Sequence, residues 1–243
     1  IVGKFLGVAA LASVGATGSI NFMIIGFCMG VCNGFAIPVA QRFGAKDEHG
    51  MRKFVANSVW LSIIFAVVMA VLVCAFCRQI LELMNTPEDI IDGSYSYIFV
   101  IFLGIPATYM YNLLSGIMRS LGDSKTPLYL LIFSSILNII LDLLSIIVLK
   151  MGVAGAAWAT VIAQAVSGFC CLGVIWKKFP ILHVQREEWQ PDKLCILNLC
   201  NMGIPMGLQY SITAIGSVII QAAVNSLGSV AVASVAAAGK INM

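Results

Sequence analysis

One acidic residue, Asp142, lies deep inside an apolar stretch, residues 126–149, that holds no other charged side chain. The other ten Asp and Glu residues lie in polar segments or near the ends of apolar ones. An ionised carboxylate near the centre of a bilayer costs about 2.5–3.5 kcal/mol on insertion scales. Asp142 is therefore expected to have a polar partner or a function, and a carboxylate can exchange a proton or bind a cation.

Polar residues accompany Asp142 at helical spacing. Ser135, Asn138, Asp142 and Ser145 are separated by three, four and three residues, which places them on one face of a helix. The Asn138 amide can donate to the carboxylate or share a cation with it, so Na⁺ at Asp142 and Asn138 is an alternative to a proton. A hydrogen-bond clamp between helices is the structural alternative. Such clamps average only ~0.6 kcal/mol, so we favour ion coupling.

Other polar residues within apolar stretches are candidates for lining an internal cavity. Thr160 and Gln164 stand one turn apart in the stretch that follows Asp142. A lone threonine commonly bonds a carbonyl of its own helix, so Thr160 is the weaker candidate from its position alone. Asn112, Gln209 and Tyr210 are further candidates, although a tyrosine near the end of a span is also typical of the membrane interface.

Composition indicates a membrane protein. Of 243 residues, 60% are hydrophobic and 10% are charged, whereas soluble domains carry about 25% charged residues. The net charge of +3 comes from scattered loop residues, so nucleic acid is not an expected partner. The eight cysteines include one C-x-x-C pair, Cys74 and Cys77, without a second pair. We expect no metal site, no disulfide framework and no cofactor beyond the coupling ion.

Apolar runs long enough to cross about 30 Å of hydrocarbon recur along the chain. We predict eight spans, of which the first and last are incomplete. The six complete spans cover about residues 19–41, 54–77, 93–118, 126–149, 153–176 and 197–222. The chain is thus predicted to be an all-α membrane protein.

Loop charges predict the orientation. The loops at residues 42–53, 119–125 and 177–193 hold ten Lys and Arg residues, and the alternate loops hold four. Positive charge marks the cytoplasmic side, so these three loops are predicted to be cytoplasmic. Asp142, eight residues before Lys150, then lies roughly 12 Å below the outer end of its span at 1.5 Å per residue.

The chain repeats itself at long range. Residues 6–22 and 227–243 are identical at 10 of 17 positions when one is shifted by 221. Six spans separate the copies, so both enter the membrane from the same side. Two like halves related by an axis along the membrane normal are typical of secondary transporters. We expect an interior piece of a longer protein: an N-terminal lobe at 1–178, a linker at 179–193 and the start of a C-terminal lobe at 194–243.

Several motifs together resemble the multidrug and toxin extrusion (MATE) family. They are VGKFLGVAALASVG at 2–15, PVAQRFGAKD at 38–47, GIMRSLGDSKTP at 116–127, NIILD at 138–142 and GVAGAAWAT at 152–160. The resemblance implies twelve helices in two six-helix lobes, in a multi-pass protein of the plasma membrane. It also implies export of small cationic amphipathic compounds by alternating access, driven by H⁺ or Na⁺. We expect the protein to act as a monomer in the bilayer.

The resemblance also implies a cation site. In many relatives this site joins an Asp of helix 1, an Asn and an Asp one turn apart on helix 5, and a Thr of helix 6. Asn138, Asp142 and Thr160 match the last three, and the helix 1 Asp is expected upstream of Ile1. Other relatives carry an acidic residue on helix 7, but no Asp or Glu follows Asp192 here, which favours coupling through the N-terminal lobe.

Three other functions for a chain of this kind are a flippase, a membrane enzyme and a passive channel. A flippase for lipid-linked oligosaccharide precursors would line its cavity with several Lys or Arg, yet all of them here lie in loops or at span ends. A membrane enzyme is disfavoured because the chain has no H-E-x-x-H or G-x-S-x-G motif. A passive channel would differ from an antiporter in that its flux is not driven by a second ion's gradient.

Overall fold

A computed structural model describes residues 2–241 of the chain, with side chains described as far as Ala238. The last two residues of the second repeat copy, Asn242 and Met243, lie outside this range. All regular structure in the described part is helical. The helices are α1 (Val2–Phe5), α2 (Gly7–Gly44), α3 (Glu48–Ala75), α4 (Cys77–Leu83), α5 (Glu88–Leu103), α6 (Ile105–Ser120), α7 (Lys125–Leu143), a π-helical turn (Leu144–Val148), α8 (Gly152–Lys178), a 3₁₀ turn (Pro180–Leu182), α9 (Lys193–Asn225) and α10 (Ser229–Ile241).

The predicted all-α membrane fold is confirmed. Within residues 2–241, five helices are long and apolar enough to cross a membrane, and α5 with α6 forms a sixth, bent span. These six correspond one to one with the six complete spans predicted from the sequence. The bend of 46° lies at Gly104, where Pro106 begins the second half of the span. A Cβ atom on Gly104 would collide with the side chain of Val161, so the bend also brings α8 close.

The start predicted for the second span was wrong. The structure places the turn at Leu6 and Gly7, twelve residues earlier than expected, and α2 then continues without a break to Gly44. Gly7 has φ of +88°, a conformation that glycine adopts without steric cost. Because the residues that follow it are all apolar or small, no polar segment in the sequence marks the turn.

The repeat seen in the sequence is also a structural repeat. Gly7 and Gly228 are equivalent under the shift of 221, and both have positive φ, +88° and +93°. Each glycine lies in the turn where a membrane helix begins, α2 in the first copy and α10 in the second. The two halves thus enter their second helix through the same backbone conformation.

Helix α2 is the centre of the fold and packs on α3, α5, α6, α9 and α10. Its contact with α9 is made backbone to backbone. A Cβ atom on Gly30 would come within 2.6 Å of the Met206 carbonyl oxygen, and one on Gly34 within 2.5 Å of the Gly203 Cα atom. Small residues allow such close approach of helices in membranes, where packing replaces the hydrophobic effect as the driving force.

Near the other end of α2, its contact with α10 joins equivalent positions of the two copies. A Cβ atom on Gly15 would lie 2.6 Å from the Ala236 Cβ atom, and 15 plus 221 is 236. Ala12 and its equivalent Ala233 belong to the same buried cluster. A contact between equivalent residues lies on the axis that relates the copies, so the pseudo-two-fold axis passes through this crossing.

Polar contacts gather the loops at two ends of the bundle, as the charge pattern predicts. At the predicted cytoplasmic end, the Lys178 ammonium donates to the Asp123 carboxylate at 2.6 Å, which holds the pKa of that carboxyl well below its ordinary value. At the opposite end, the buried Asn225 amide donates to the carbonyl oxygen of Met84 at 3.0 Å. The first contact joins two of the positively charged loops, and the second joins two of the others.

The segment predicted as the linker, 179–193, contacts α3 at several points, and the most buried of them is the carboxylate of Glu188, which is 1% exposed. It accepts hydrogen bonds from the Arg52 Nε at 2.9 and 3.0 Å and from the Gln185 backbone at 2.8 Å, and lies 2.9 Å from the His49 Nδ1. Burial alone would raise the pKa of Glu188, but these bonds together hold it below the ordinary value of 4.5. The linker therefore lies on the helices that precede it.

Two aspartates cap the helices that follow loops predicted to be cytoplasmic. The Asp47 side chain accepts from the Gly50 backbone at 2.9 Å at the start of α3, and the Asp192 side chain accepts from the Leu194 backbone at 2.8 Å at the start of α9. Each carboxylate satisfies a backbone N–H that has no partner within its helix. These backbone bonds are also the main reason that the pKa values of both carboxyls are lowered.

The glycine seam between α2 and α9 yields a stability prediction for the full-length protein. Gly34→Ala places a Cβ atom against the Gly203 backbone, which cannot move aside as a side chain could, so we expect destabilisation of about 1–3 kcal/mol. Thermal unfolding of the purified protein in detergent measures this. Gly18→Ala on the same helix is the matched control, since nothing lies within 4 Å of its added Cβ atom. Equal melting temperatures for the two variants would refute the close packing.

A second prediction concerns the linker. Glu188→Gln removes the charge that Arg52 faces, and we expect a loss of roughly 2 kcal/mol, less than for a fully buried pair because His49 reaches water. Since the pKa of Glu188 is lowered by folding, its stabilisation is complete above its ordinary value of 4.5 and disappears as pH falls through the lower folded value.

Thermal unfolding at pH 7 and near pH 4 distinguishes this outcome. The difference between wild type and Glu188→Gln should be full at pH 7 and should shrink as the solution becomes more acidic. Glu187→Gln is the control, because that neighbouring side chain is exposed. An effect of Glu187→Gln as large as that of Glu188→Gln would contradict the assignment.

Candidate functional site

The candidate site lies between α7 and α8, which pack side by side. The opposite side of α7 is apolar and exposed, with Ile136, Ile139 and Ile140 each more than half accessible. Asp142 is the penultimate residue of α7, directly before the π-helical turn at Leu144–Val148. π-Helical turns widen a helix locally and occur frequently at functional sites.

One hydrogen bond crosses between the two helices at this level. The Asn138 Nδ2 donates to the Thr160 Oγ1 at 3.3 Å, and the Thr160 hydroxyl donates to the Ala156 carbonyl oxygen at 3.0 Å. Thr160 therefore bonds its own helix and accepts from its neighbour at once. A bond to its own helix and a contact with the site at Asn138 are therefore compatible, and both bonds hold the hydroxyl oxygen in place.

Asp142 lies one turn after Asn138 but bonds neither Asn138 nor Thr160. One carboxylate oxygen, Oδ1, is buried and has no hydrogen-bond partner among the described residues. A buried acceptor left without a donor costs about 1–3 kcal/mol, and more for a charged group. Asp142 itself is only partly exposed, unlike Ile139 and Leu143 beside it. Its carboxylate is thus in a position to take up a proton or a cation.

A small cavity of about 100 Å³ adjoins this site on the α8 side. It lies between α2, α5, α6 and α8, and Thr160 belongs both to its wall and to the hydrogen bond with Asn138. Two amide oxygens, Asn21 Oδ1 and Gln164 Oε1, are buried without a partner among the described residues. Its lining residues are Asn21, Ile25, Tyr97, Ile101, Thr108, Thr160, Val161 and Gln164.

Of the residues predicted to line a cavity, Gln164 does so, Ser145 is buried against α8, and Ser135 is exposed. Ser145 is buried but packs on α8, where a Cβ atom on Gly155 would meet its Cβ atom at 3.1 Å. Ser135 is exposed and its hydroxyl donates to the Leu131 carbonyl oxygen of its own helix at 2.9 Å. It lies at the edge of the polar face, and the preceding residue, Ser134, faces α8 instead, donating to the Ala163 carbonyl oxygen at 3.4 Å.

The remaining candidates do not reach this cavity. Asn112 is half-buried, and its amide donates to the Thr108 carbonyl oxygen of its own helix at 2.8 Å. Gln209 and Tyr210 lie on α9 and are exposed in the described part of the chain. Tyr210 passes close to α2, since a Cβ atom on Gly26 would lie 3.7 Å from the Tyr210 Cβ atom.

Sequence reasoning did not select Asn21, the polar residue that α2 contributes to the cavity. The one polar neighbour of Asn21 at helical spacing is Thr17, four residues earlier, and a buried threonine commonly bonds its own helix, so the pair did not reveal a polar face. One signal was present, because Asn21 is identical to Asn242 in the repeat. Thr108 was not predicted either. In the structure its hydroxyl donates to the Gly104 carbonyl oxygen at the bend between α5 and α6.

The chemistry of the site suits a proton or a hard monovalent cation. Its donors are a carboxylate, amides and hydroxyls, all oxygen ligands. Within residues 2–241, no three His, Cys, Asp or Glu side chains lie together as a transition-metal site would need. Intramembrane acids of this kind commonly mark ion pathways.

Six apolar spans, an internal repeat and an acidic site between helices define a polytopic membrane protein of the transporter class. A family model, MatE, matches residues 1–144. The chain belongs to the MATE family, which is a family of multi-pass plasma membrane transporters and not of enzymes.

Two relatives from Bacillus subtilis (strain 168) are similar over nearly all of the chain. The probable multidrug resistance protein YoeA is 32% identical over 96% of this chain and 52% of its own length. The probable multidrug resistance protein YpnP is 31% identical over 93% of this chain and 51% of its own. The chain spans about half the length of these curated relatives.

Solved structures show the same fold. An inward-facing structure of a multidrug resistance MATE family transporter of the MOP superfamily superposes with a TM-score of 0.90, at 24% identity, over 98% of this chain and 55% of that one. An outward-facing structure of such a transporter gives 0.76, at 25% identity, over 86% and 47%. The predicted membership of a two-lobe transporter family is confirmed by these matches.

The bond between Asn138 and Thr160 makes a testable prediction for cation binding by the full-length protein. Thr160→Val keeps the shape of the side chain but removes the oxygen that accepts from Asn138. We expect a several-fold loss of affinity for the ion that stabilises the purified protein. The variant lacks the Thr160 hydroxyl oxygen as a ligand, and the Asn138 amide loses the bond that orients it. Thr160→Ser keeps the hydroxyl and should bind as wild type does.

Ion-dependent thermal stabilisation provides the measurement. Na⁺ is titrated at fixed pH, and pH is titrated without Na⁺, for wild type and both variants. Equal affinities for the Val and Ser variants would show that the Thr160 hydroxyl has no part in the site.

Proposed function

We propose that this chain forms part of a secondary antiporter that exports cationic amphipathic drugs or metabolites in exchange for H⁺ or Na⁺. Transport proceeds by alternating access, and the protein works as a monomer. Membership of the MATE family supports the drug efflux role, and the two Bacillus subtilis relatives carry multidrug resistance in their names. The proposal extends to the whole protein, of which this chain is about half by comparison with those relatives.

The observation that carries the proposal is the buried Asp142 Oδ1, which has no hydrogen-bond partner among the described residues. A structural clamp would satisfy that oxygen with a donor on a neighbouring helix. No such bond is made among the described residues, and the Asn138 amide, on the same helix as Asp142, donates to Thr160. Leaving the acceptor unsatisfied is unfavourable unless a proton or a cation occupies it during the cycle. The unsatisfied oxygen can also couple binding to conformation, since occupation of Asp142 by a proton or a cation changes the free energy of the surrounding helices.

The energetic link to export follows from differential affinity. A coupling ion can shift a conformational equilibrium only by the difference between its affinities for the two states. Asp142 lies nearer the predicted outer end of its span, so an ion from outside reaches it when the cleft opens outward. Its binding then disfavours the state that holds the cationic drug, and the drug is released outside.

The packing of α2 bears on a rocking motion. Helix α2 meets α9 and α10, which are predicted to begin the second lobe, and each of these contacts is made by small residues. At the crossing with α10, Gly15 and Ala236 bring almost no side-chain area together. The same crossing includes the small buried cluster that holds Ala12 and Ala233, so separation of the two helices in a rocking motion would expose that apolar surface.

The alternative function, a flippase for lipid-linked oligosaccharide precursors, has no support in the site. Pyrophosphate recognition within the membrane would need several cationic side chains. The walls of the cavity and the neighbourhood of Asp142 contain none among the described residues. Uptake of a fluorescent lipid-linked sugar by proteoliposomes, without ion-driven drug efflux, would reverse this ranking.

Asp142→Asn tests the proposal in the full-length protein. The amide keeps the size of the side chain but can neither ionise nor attract a cation, so we expect efflux driven by an ion gradient to fall to background. Drug binding to the purified protein should persist. Asp92→Asn, at an exposed position on α5 near the outer end, is the control and should transport as wild type does.

Proteoliposomes with imposed gradients provide the measurement. Removing Na⁺ at fixed pH, and separately collapsing the pH gradient at fixed Na⁺, shows which ion drives efflux. Gradient-driven efflux by Asp142→Asn at the wild-type rate and expression level would refute the coupling role of this residue.

A further inference from the structure

The cavity beside Thr160 is lined by acceptors that nothing in the described structure satisfies. Asn21 Oδ1 reaches it from α2 and Gln164 Oε1 from α8, and both atoms are buried. Two orphan acceptors in one small cavity are unusual, because each costs about 1–3 kcal/mol when no donor or cation meets it. The arrangement therefore suits an occupant that can donate to these oxygens or bind them, namely water or a small cation.

The volume restricts what that occupant is. A cavity of about 100 Å³ is far smaller than the roughly 300–1,000 Å³ of sites for drug-sized ligands. At about 30 Å³ for each water molecule, it accommodates a few waters or a small ion with part of its hydration shell. The exported compound cannot fit in it.

Position distinguishes this cavity from the site at Asp142. Thr160 is the common residue, since it lines the cavity and accepts the hydrogen bond from Asn138, which precedes Asp142 by one turn. Asn21 belongs to α2, the helix at which the two predicted lobes meet. The cavity thus lies between the central helix and the acidic residue. Its polar groups are all neutral, so they can replace water around a cation without holding it as tightly as a carboxylate does.

We propose that Asn21 and Gln164 form a transit site for a partly hydrated Na⁺ ion on its way to Asp142. The inference rests on the proposed function and deepens it by naming the ion and two residues of its path. The two amide oxygens and the Thr160 hydroxyl replace part of the hydration shell, and the ion then passes Thr160 to the carboxylate. Gln164 and Asn21 act on how readily sodium enters the path at low concentration and do not touch the drug.

The test uses the full-length protein with near-isosteric variants that remove each amide. Asn21→Leu and Gln164→Met should each raise the sodium concentration for half-maximal transport by roughly tenfold, the effect of losing one hydrogen-bonding partner of a charged group. The maximal rate at saturating sodium should stay within about twofold, because the final site at Asp142 is intact. Asn21→Asp keeps an acceptor oxygen and should bind Na⁺ at least as well as wild type.

Gln79→Met, at an exposed position on α4, is the matched control and should leave the sodium dependence unchanged. Binding of radioactive ²²Na⁺ to purified protein gives a readout independent of transport. Monodisperse elution and an unchanged melting temperature without sodium show that each variant folds.

Three outcomes overturn the inference. The first is an unchanged sodium dependence in both Asn21→Leu and Gln164→Met, which would mean that the cavity holds only water. The second is a lower maximal rate with unchanged sodium dependence, which is the result expected of a purely structural role. The third is the absence of sodium binding in a wild-type protein that exports drug on a proton gradient, and in that case the proposed function stands. Failure of the proposed function itself is detected separately by Asp142→Asn.

Discussion

A carboxylate oxygen that lies between two membrane helices, with no hydrogen-bond donor among the described residues, is the constraint around which this structure is arranged. The oxygen is Asp142 Oδ1, and the Asn138 amide one turn earlier donates to Thr160 on α8. Because no described residue donates to the Asp142 oxygen, the carboxylate retains its capacity to bind a proton or a cation, which is the basis of the function proposed above.

The rest of the fold turns that site toward other helices and connects it to the contact between the two repeat copies. The apolar face of α7 is turned outward while its polar face meets α8, and α8 in turn packs on α5 and α6. Helix α2 lies at the centre because its glycines allow its backbone to touch that of α9. A residue on α2, such as Asn21, can therefore face the polar cavity while the same helix contacts the start of the second repeat copy.

The architecture could be predicted from the sequence because the exclusion of charge from the bilayer, the dominant energetic term, restricts the residue type at each position of a span. Sequence reasoning found Asp142 for the same reason, and the partnership of Asn138 with Thr160 through family resemblance. It misplaced the start of the second span, because the only mark of the turn at Gly7 is a backbone conformation that many glycines do not adopt. It chose Ser135 where Ser134 faces α8, since helical spacing defines a face about 100° wide but not its centre. Asn21 could not be found from pattern alone, because its neighbours in the cavity come from three other helices.

The crossing of Gly15 with Ala236 has a consequence for how the two copies have diverged. In a dimer of identical subunits, a residue on the symmetry axis meets its own copy, so one codon fixes both sides of the contact, whereas two copies within one chain are encoded separately. Gly15 opposite Ala236 is a pair in which the two sides differ by a single methyl group. Duplication within one chain permits that asymmetry, whereas a dimer of identical subunits could only have offered two glycines or two alanines at that point.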